Sequence, residues 1–413
     1  MPAVNLFQSE YLNMLEVAAA LNLVLDRARP LAPLATDLSP SALGHVLAEP
    51  VSSDIDSPPY TKSLMDGYAV RSADCVSPGA TLQVIEEVAA GKFPTLSVGR
   101  GQSTRVMTGA PIPEGADAIV MHERTELTAD RVTIRQSVTL GAYILPRGRE
   151  MNAGNVVLAA GAVLGPQEFG LLAAVGRTKV SAYPCPRFAL ISTGDELVEA
   201  STYPAAGQIR NSNGPMLLAQ AARAGALPRY AGLARDDRSI LLVLTRGCLD
   251  SADIVVLSGG VSAGKFDYVP GVLEELGVTP QFHKINLKPG RPLLFGTRGD
   301  TLVFGLPGNP VSSFVCFELF VRPAVRKLRG HADAAPAFVL VPLACEFATT
   351  NDRPTYGPAR LERSAEGLRV RPQGWFGSAD LRGLAGADAL VRVPAGASSY
   401  KAGEAIPTLF LNP

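Results

Sequence analysis

The feature that most constrains this chain is the alternation between Pro186 and Gly330. FALIST, ADIVVLS, RPLLFG and LVFGLPG are short, nearly uninterrupted apolar runs that break off at Gly, Pro, Ser or Lys. A strand buried on both faces reads this way, because neither side meets water. Between and after them, MLLAQAARAGA, SILLVLTRGCL, VPGVLEELG and PVSSFVCFELFVRPAVRKLRG carry apolar residues at helical spacing. Strands alternating with helices predict a doubly wound, mostly parallel α/β sheet covered on both faces. Ligands of such sheets bind beyond the carboxyl ends of the strands. Three such ends lie close in sequence between Ile254 and Ser313, among glycines and lysines, which points to a pocket for an anion.

The remaining sequence is organised around this unit. A chain of 413 residues exceeds one ordinary core. Apolar residues at Leu12, Leu15, Ala18, Ala19, Leu23 and Val24 predict an amphipathic helix over Tyr11–Arg27. Short β-type runs with Gly/Pro breaks follow, predicting a small β-rich domain. Residues 155–180 return to mixed character and are expected to pack against the N-terminal helix, leaving the β-rich unit as an insertion. After Gly330, HADAAPA reads as a linker, and the short strands beyond it predict a small β-barrel or sandwich. The expected division is domain I, discontinuous, at 1–53 and 149–182; domain II, a β-rich insertion, at 54–148; domain III, the α/β unit, at 183–330; and domain IV at 335–413.

Charge excludes one class of partner. Lys+Arg and Asp+Glu balance at 38 each, so there is no basic surplus to hold nucleic acid. The five cysteines and four histidines are scattered, forming neither a disulfide framework nor a zinc motif. The N-terminus lacks the basic region of a signal peptide, and no apolar run is long enough to span a bilayer. A cytoplasmic protein is expected.

Several strand ends carry chemistry. STGDELV places Asp195 and Glu196 at the end of the first α/β strand, where they read either as carboxylates holding hydrated Mg²⁺ or as acidic residues favoured by a helix N-terminus. In LSGGVSAGKFDY, Gly259, Gly260 and Gly264 leave backbone N–H groups open to a phosphate, or make a tight turn and nothing more. That stretch is neither a Walker A nor a GxGxxG sequence. Asp267 adds a carboxylate near the same turn. HKINLKPGRP sets Lys284 and Lys288 four residues apart beside an apolar strand, where fixed anion contacts are credible. In LPGNP, Pro310 suits a first helical turn and Asn309 a cap, and an uncovered helix N-terminus there would complete the anion pocket. Asp66 in SLMDGYAV and Thr108 in RVMTGAPIPEGADAIVM read on their own as turn residues.

In this order, MDGYAV, MTGAPIPEGADAIVM, ISTGDEL, LARDD, LSGGVSAGKFDY, LKPGRP and LPGNPVSS strongly resemble the molybdopterin molybdenumtransferase family, which includes the gephyrin E domain. The resemblance runs from about Leu12 to the C-terminus. Each motif is weak alone; the ordered set is specific. It implies insertion of molybdate into adenylylated molybdopterin with Mg²⁺, giving molybdenum-molybdopterin and AMP. It further implies an elongated homodimer of four-domain chains whose site is completed by the partner subunit. Molybdopterin adenylyltransferase and molybdoenzyme maturation proteins are the further partners implied, with neither nucleic acid nor membrane.

By the same resemblance Asp66, Thr108, Glu196, Asp236, Asp267, Lys284 and Lys288 are the catalytic positions. Ser258, Gly259, Gly260, Ser262, Pro307, Gly308, Asn309, Pro310, Arg363 and Ser378 bind the molybdopterin substrate. Glu196, Asp236, Asp267 and Glu150 are the candidate Mg²⁺ ligands. The dithiolene sulfurs that receive molybdenum belong to the substrate, so scattered cysteines are no objection. Two motifs depart from the family. FDNS before the MDG motif is here Tyr60-Thr61-Lys62-Ser63, and the hinge RGED or RGSD is here Arg147-Gly148-Arg149-Glu150. A scaffold that keeps the fold without the chemistry, and an adenylyltransferase that shares the α/β domain, are the alternative functions.

Overall fold

The computed structural model describes residues 14–235, 237–261, 268–365 and 367–411; Asp236, Ser262 and Asp267 lie outside them. The α/β unit is built from β1 (Arg187–Thr193), α1 (Asn213–Ala224), β2 (Leu227–Ala234), α2 (Arg238–Leu249), β3 (Ile254–Ser258), α3 (Val269–Glu275), β4 (Thr279–His283), β5 (Leu294–Arg298), β6 (Thr301–Leu306) and α4 (Pro310–Cys316). The strands form one sheet in the order β2-β1-β3-β6-β5-β4. The first four run parallel, and β5 and β4 join antiparallel. The RPLLFG strand therefore differs from the parallel strand expected of it. Only Gly299 and Asp300 separate β5 from β6, a hairpin connection too short for a parallel crossover.

Successive sheet residues point to opposite faces, and both faces are covered. Phe188, Leu190, Ile254, Val256 and Phe304 pack with Leu217 and Ala221 of α1 and with Val311 and Val315 of α4. Ala189, Ile191, Val255, Leu257 and Val303 pack with Leu241 and Cys248 of α2 and Val269 of α3. At about 25 cal/mol per Å² of apolar surface, these two layers dominate the stability of the unit.

The N-terminal helix spans Val17–Arg27, starting later than its periodicity suggests. Leu15 is held instead by a bridge to Ile285, its N–H donating to the Lys284 carbonyl at 3.4 Å. Buried Ala20 and Val24 join the α/β core, so the helix finds packing partners there.

After the linker, Phe338–Pro342, Ala405–Phe410, Ala389–Val393, Thr355–Ser364 and Gly367–Pro372 form a five-stranded antiparallel sheet, in that order. Its outer strands meet again: Leu343 bridges Val370, and the Ala344 N–H donates to the Val370 carbonyl at 2.9 Å. A second ribbon pairs Phe347–Asn351 with Gly396–Tyr400.

Contacts separate Glu49–Val180 as a unit of its own. Its six-stranded sheet has the order Ala118–Met121, Gly67–Val70, Gln102–Val106, Thr81–Val88, Arg131–Ile134, Thr125–Thr128. Gly67 is required where it stands, since a Cβ there would lie 2.1 Å from the Val120 carbonyl oxygen. No helix among the described residues is long and apolar enough to cross a membrane.

Candidate functional site

The carboxyl edge of the α/β sheet is assembled by one asparagine. Asn213 Nδ2 donates to Ser258 Oγ (2.9 Å) at the end of β3 and to the Gly308 carbonyl (2.8 Å) beyond β6. Thr193 Oγ1, at the end of β1, donates to the Ser258 carbonyl at 3.4 Å. Asn211 caps the same loop, donating to Ser192 Oγ and the Tyr230 hydroxyl and accepting from the Gly214 N–H at 2.9 Å. Asn211 and Asn213 escape motif reading, although an RNSNG run between strand and helix is the signal that could have found them.

Gly259 and Gly260 follow β3 with φ of +94° and +63°. The Gly259 N–H is taken by the Leu306 carbonyl at 3.0 Å. A Cβ on Gly259 would lie 2.4 Å from the Thr193 carbonyl oxygen, and Gly308 stands directly opposite. The glycines thus let three strand ends approach closely. Glu196 is exposed just past β1, with its carboxylate folded over Gly194. Pro307 is buried, while Gly308 and Asn309 are exposed.

Asn309 occupies the N-cap position of α4, yet its side chain makes no cap hydrogen bond. It donates to Ser378 Oγ at 2.9 Å, and the Ser378 carbonyl accepts the Val311 N–H at 3.0 Å. The expected uncovered helix N-terminus is therefore occupied in part: Pro310 has no N–H, and that of Val311 is spent on Ser378. What replaces it is a direct contact between Asn309 and Ser378, two of the positions expected from the sequence to bind substrate.

Lys284 follows β4 at φ +148°, backbone that residues with a Cβ rarely adopt. Lys288 is fixed through its backbone, donating to the Pro354 carbonyl (2.9 Å) and accepting from the Tyr356 N–H (2.8 Å). Its Nζ lies 3.5 Å from Asp352 Oδ1, and Arg353 Nε lies 3.0 Å from Asp352 Oδ2. Arg353 Nη1 also reaches the Leu287 carbonyl at 3.5 Å. Lys288 and Arg353 are thus two cations sharing one exposed carboxylate. Arg363 is placed otherwise. It follows Thr355, which bridges Lys288, by eight residues on one strand, roughly 25 Å along it.

In the unit Glu49–Val180, the pairing of Gly67 with Val106 brings the segments just beyond the two strands side by side, and Asp66 and Thr108 meet there. Asp66 Oδ1 accepts from the Thr108 N–H at 2.6 Å and from Thr108 Oγ1 at 2.8 Å. The Thr108 backbone N–H, followed by its hydroxyl, holds the Asp66 carboxyl below the ordinary carboxylate range. A depressed folded pKa means this contact stabilises at neutral pH and is lost as pH falls through the folded value. Thr108→Val removes the hydroxyl donor and is expected to raise the Asp66 titration midpoint, read by carboxyl NMR; an unmoved midpoint would refute the assignment. Glu150 Oε2 accepts from Ser57 Oγ at 2.6 Å. Beside it Arg147 pairs with Asp56 at 2.6 Å, and the Arg147 N–H donates to Thr61 Oγ1 at 3.2 Å.

Asp237 caps α2 by accepting from the Ser239 and Ile240 N–H groups, which gives the second acidic residue of LARDD a structural task. No group of three or more His, Cys, Asp or Glu able to hold a metal occurs among the described residues. Of the expected Mg²⁺ ligands, Glu196 and Glu150 are described and Asp236 and Asp267 are not.

Comparison with known proteins places this geometry. Family models match the MoeA N-terminal region (domain I and II) over 15–176, a probable molybdopterin binding domain over 189–327, and the MoeA C-terminal region (domain IV) over 341–411. The molybdopterin molybdenumtransferase of Staphylococcus aureus is 34% identical over 380 residues, covering 91% of this chain and 90% of its own. That of Staphylococcus epidermidis is 34% identical over 374 residues, 89% of each chain. A crystal structure of the molybdopterin biosynthesis MoeA protein from Pyrococcus horikoshii superposes with a TM-score of 0.83 at 30% identity, covering 96% of this chain and 100% of that one. The chain belongs to the MoeA family of molybdopterin molybdenumtransferases, enzymes of molybdenum cofactor biosynthesis.

Proposed function

We propose that this chain inserts molybdate into adenylylated molybdopterin, releasing molybdenum-molybdopterin and AMP. The observation that carries the reading is the edge at which Asn213 joins Ser258 to Gly308, with Asn309 and Ser378 in contact beside it and Lys288 and Arg353 supplying charge nearby. Molybdate is a dianion and the substrate bears phosphate, so fixed lysine, guanidinium and hydroxyl donors suit both. Ser378 and Asn309 orient, and Lys284, Lys288 and Arg353 offset negative charge as the phosphoanhydride opens. The carboxylates Glu196, Asp236 and Asp267 have the hard oxygen donors that Mg²⁺ takes, and bound there the ion would screen them from an anionic substrate. The four-domain division and a homodimeric assembly belong to the same proposal.

The test is AMP release by purified protein given adenylylated molybdopterin, molybdate and Mg²⁺. A folded sample that releases none refutes the proposal and returns the scaffold reading. ATP-dependent adenylylation of molybdopterin would favour the adenylyltransferase instead. Within this assay Arg353→Ala is expected to lower AMP release about tenfold or more, as losing one charged contact does. Arg363→Ala, being remote along the strand, is expected to change it less than twofold; the reverse ranking would show that Arg363 is the arginine that matters.

A further inference from the structure

The helix Arg322–Leu328, which follows α4 in the chain, carries an arginine surplus. Arg322, Arg326 and Arg329 stand four and three residues apart, a spacing that makes like charges neighbours on a helix. Glu318, 1% exposed, answers only part of that charge. Its Oε1 accepts from Gln220 Nε2 at 2.7 Å and from Arg223, and its Oε2 from Arg322 Nη1 at 3.0 Å. Both oxygens are thus spent on other partners. Arg329, 8% exposed, donates to the carbonyls of Ala224 and Gly44, and its Nε meets no acceptor among the described residues. Arg326 donates to the Asp333 carbonyl at 2.9 Å, and among the described residues it forms no ion pair. Burial, then Arg322 and Arg329, hold the Arg326 guanidinium below its usual range. Burial, then Arg326 and Arg329, push His331 down to about 4.

Arg322, Arg326, Glu318 and Asp333 line a cavity of about 270 Å³, small for a ligand pocket. Pro323, Pro336, Val339, Leu409 and Phe410 give it an apolar lining. A half-buried cation without a carboxylate of its own is costly beside such a lining. Its planar fork matches a carboxylate or phosphate, two donors to two oxygens.

We propose that this cavity is an anion-binding site that takes a carboxylate or phosphate carried on a small apolar body, with Arg326 as its charged contact. The oxyanion supplies the counter-charge that Glu318 does not, and the apolar body displaces water from the prolines, Val339, Leu409 and Phe410. The linker residues Asp333–Ala337 form part of the lining, so an occupant ties them to the helix Arg322–Leu328. Binding of this kind is independent of the transferase reading, because none of these residues is among the expected catalytic, substrate-binding or Mg²⁺ positions.

The experiment titrates the full chain calorimetrically, at fixed ionic strength, with benzoate, phenyl phosphate, neutral benzamide and inorganic phosphate. Saturable binding of benzoate or phenyl phosphate is expected, and which of the two binds identifies the oxyanion. Benzamide, of the same shape as benzoate without its charge, should bind about tenfold more weakly or not at all, and Arg326→Ala should weaken the responding probe about tenfold. Lys288→Ala should leave that affinity unchanged, which separates this cavity from the edge proposed to hold substrate. Ala337→Phe, an exposed lining position, fills the cavity without altering its charge and should abolish binding, so the test stands even where Arg326→Ala fails to fold. No binding of either aromatic anion, binding of inorganic phosphate alone, or affinity unmoved by Arg326→Ala or by Ala337→Phe overturns the proposal. Binding lost in Lys288→Ala also overturns it, by assigning the anion to the other site.

Discussion

Lys288→Ala is expected to reduce AMP release by about 100- to 1,000-fold while leaving the fold unchanged, the size of effect seen when one preorganised charge-stabilising donor is removed. The separation of the two outcomes follows from how Lys288 is held. Its structural bonds are made by its backbone, to Pro354 and Tyr356, and persist in alanine. Its side chain makes an exposed ion pair with Asp352, whose loss costs little stability. Thermal unfolding within a degree or two of wild type, together with the fall in AMP release, is the predicted pair of results. Wild-type turnover would remove Lys288 from the site.

Gly259→Ala is expected to fail in the opposite way, through the backbone. At φ +94° a residue with a Cβ is strained by about 1–2 kcal/mol, and that Cβ would lie 2.4 Å from the Thr193 carbonyl oxygen and 3.0 Å from Thr193 Oγ1. Overpacking against backbone adds about 1–3 kcal/mol, so β1 and β3 must separate at the edge proposed to hold the anion. The expected result is a chain destabilised by about 2–4 kcal/mol in denaturant unfolding, with AMP release lost even well below the new midpoint. A variant of wild-type stability and activity would mean that this turn neither approaches β1 so closely nor faces the substrate.

The strands read correctly from sequence are the four interior ones, β1, β3, β5 and β6, and the two that went unread, β2 and β4, are the sheet's two edges. The physics explains the division. An interior strand is apolar on both faces and announces itself as a continuous run. LPRYAGLA and TPQFH carry Pro, Arg and Gln because an edge strand keeps one side toward solvent and tolerates a missing N–H. The parallel expectation for β5 missed the two-residue Gly299-Asp300 turn, a hairpin signal that lay in plain view.

At the site, glycines and lysines at strand ends were legible because their spacing is local. The contacts that organise them were not. Asn309 meets Ser378 across 69 residues and Asn213 meets Gly308 across 95, distances that only the topology closes. The same limit separates Arg353 from Arg363: both are arginines of one strand region, and only the bridge from Lys288 to Thr355 tells which stands beside the lysine.

The central claim is that one edge couples molybdate to the opening of a phosphoanhydride, and the most direct measurement is the molybdate dependence of AMP release in a single turnover. The account predicts AMP and molybdenum-molybdopterin formed in equal amounts when molybdate is present, with AMP release falling to background when it is omitted. AMP released at the same rate without molybdate, or molybdenum inserted with no AMP formed, would contradict it.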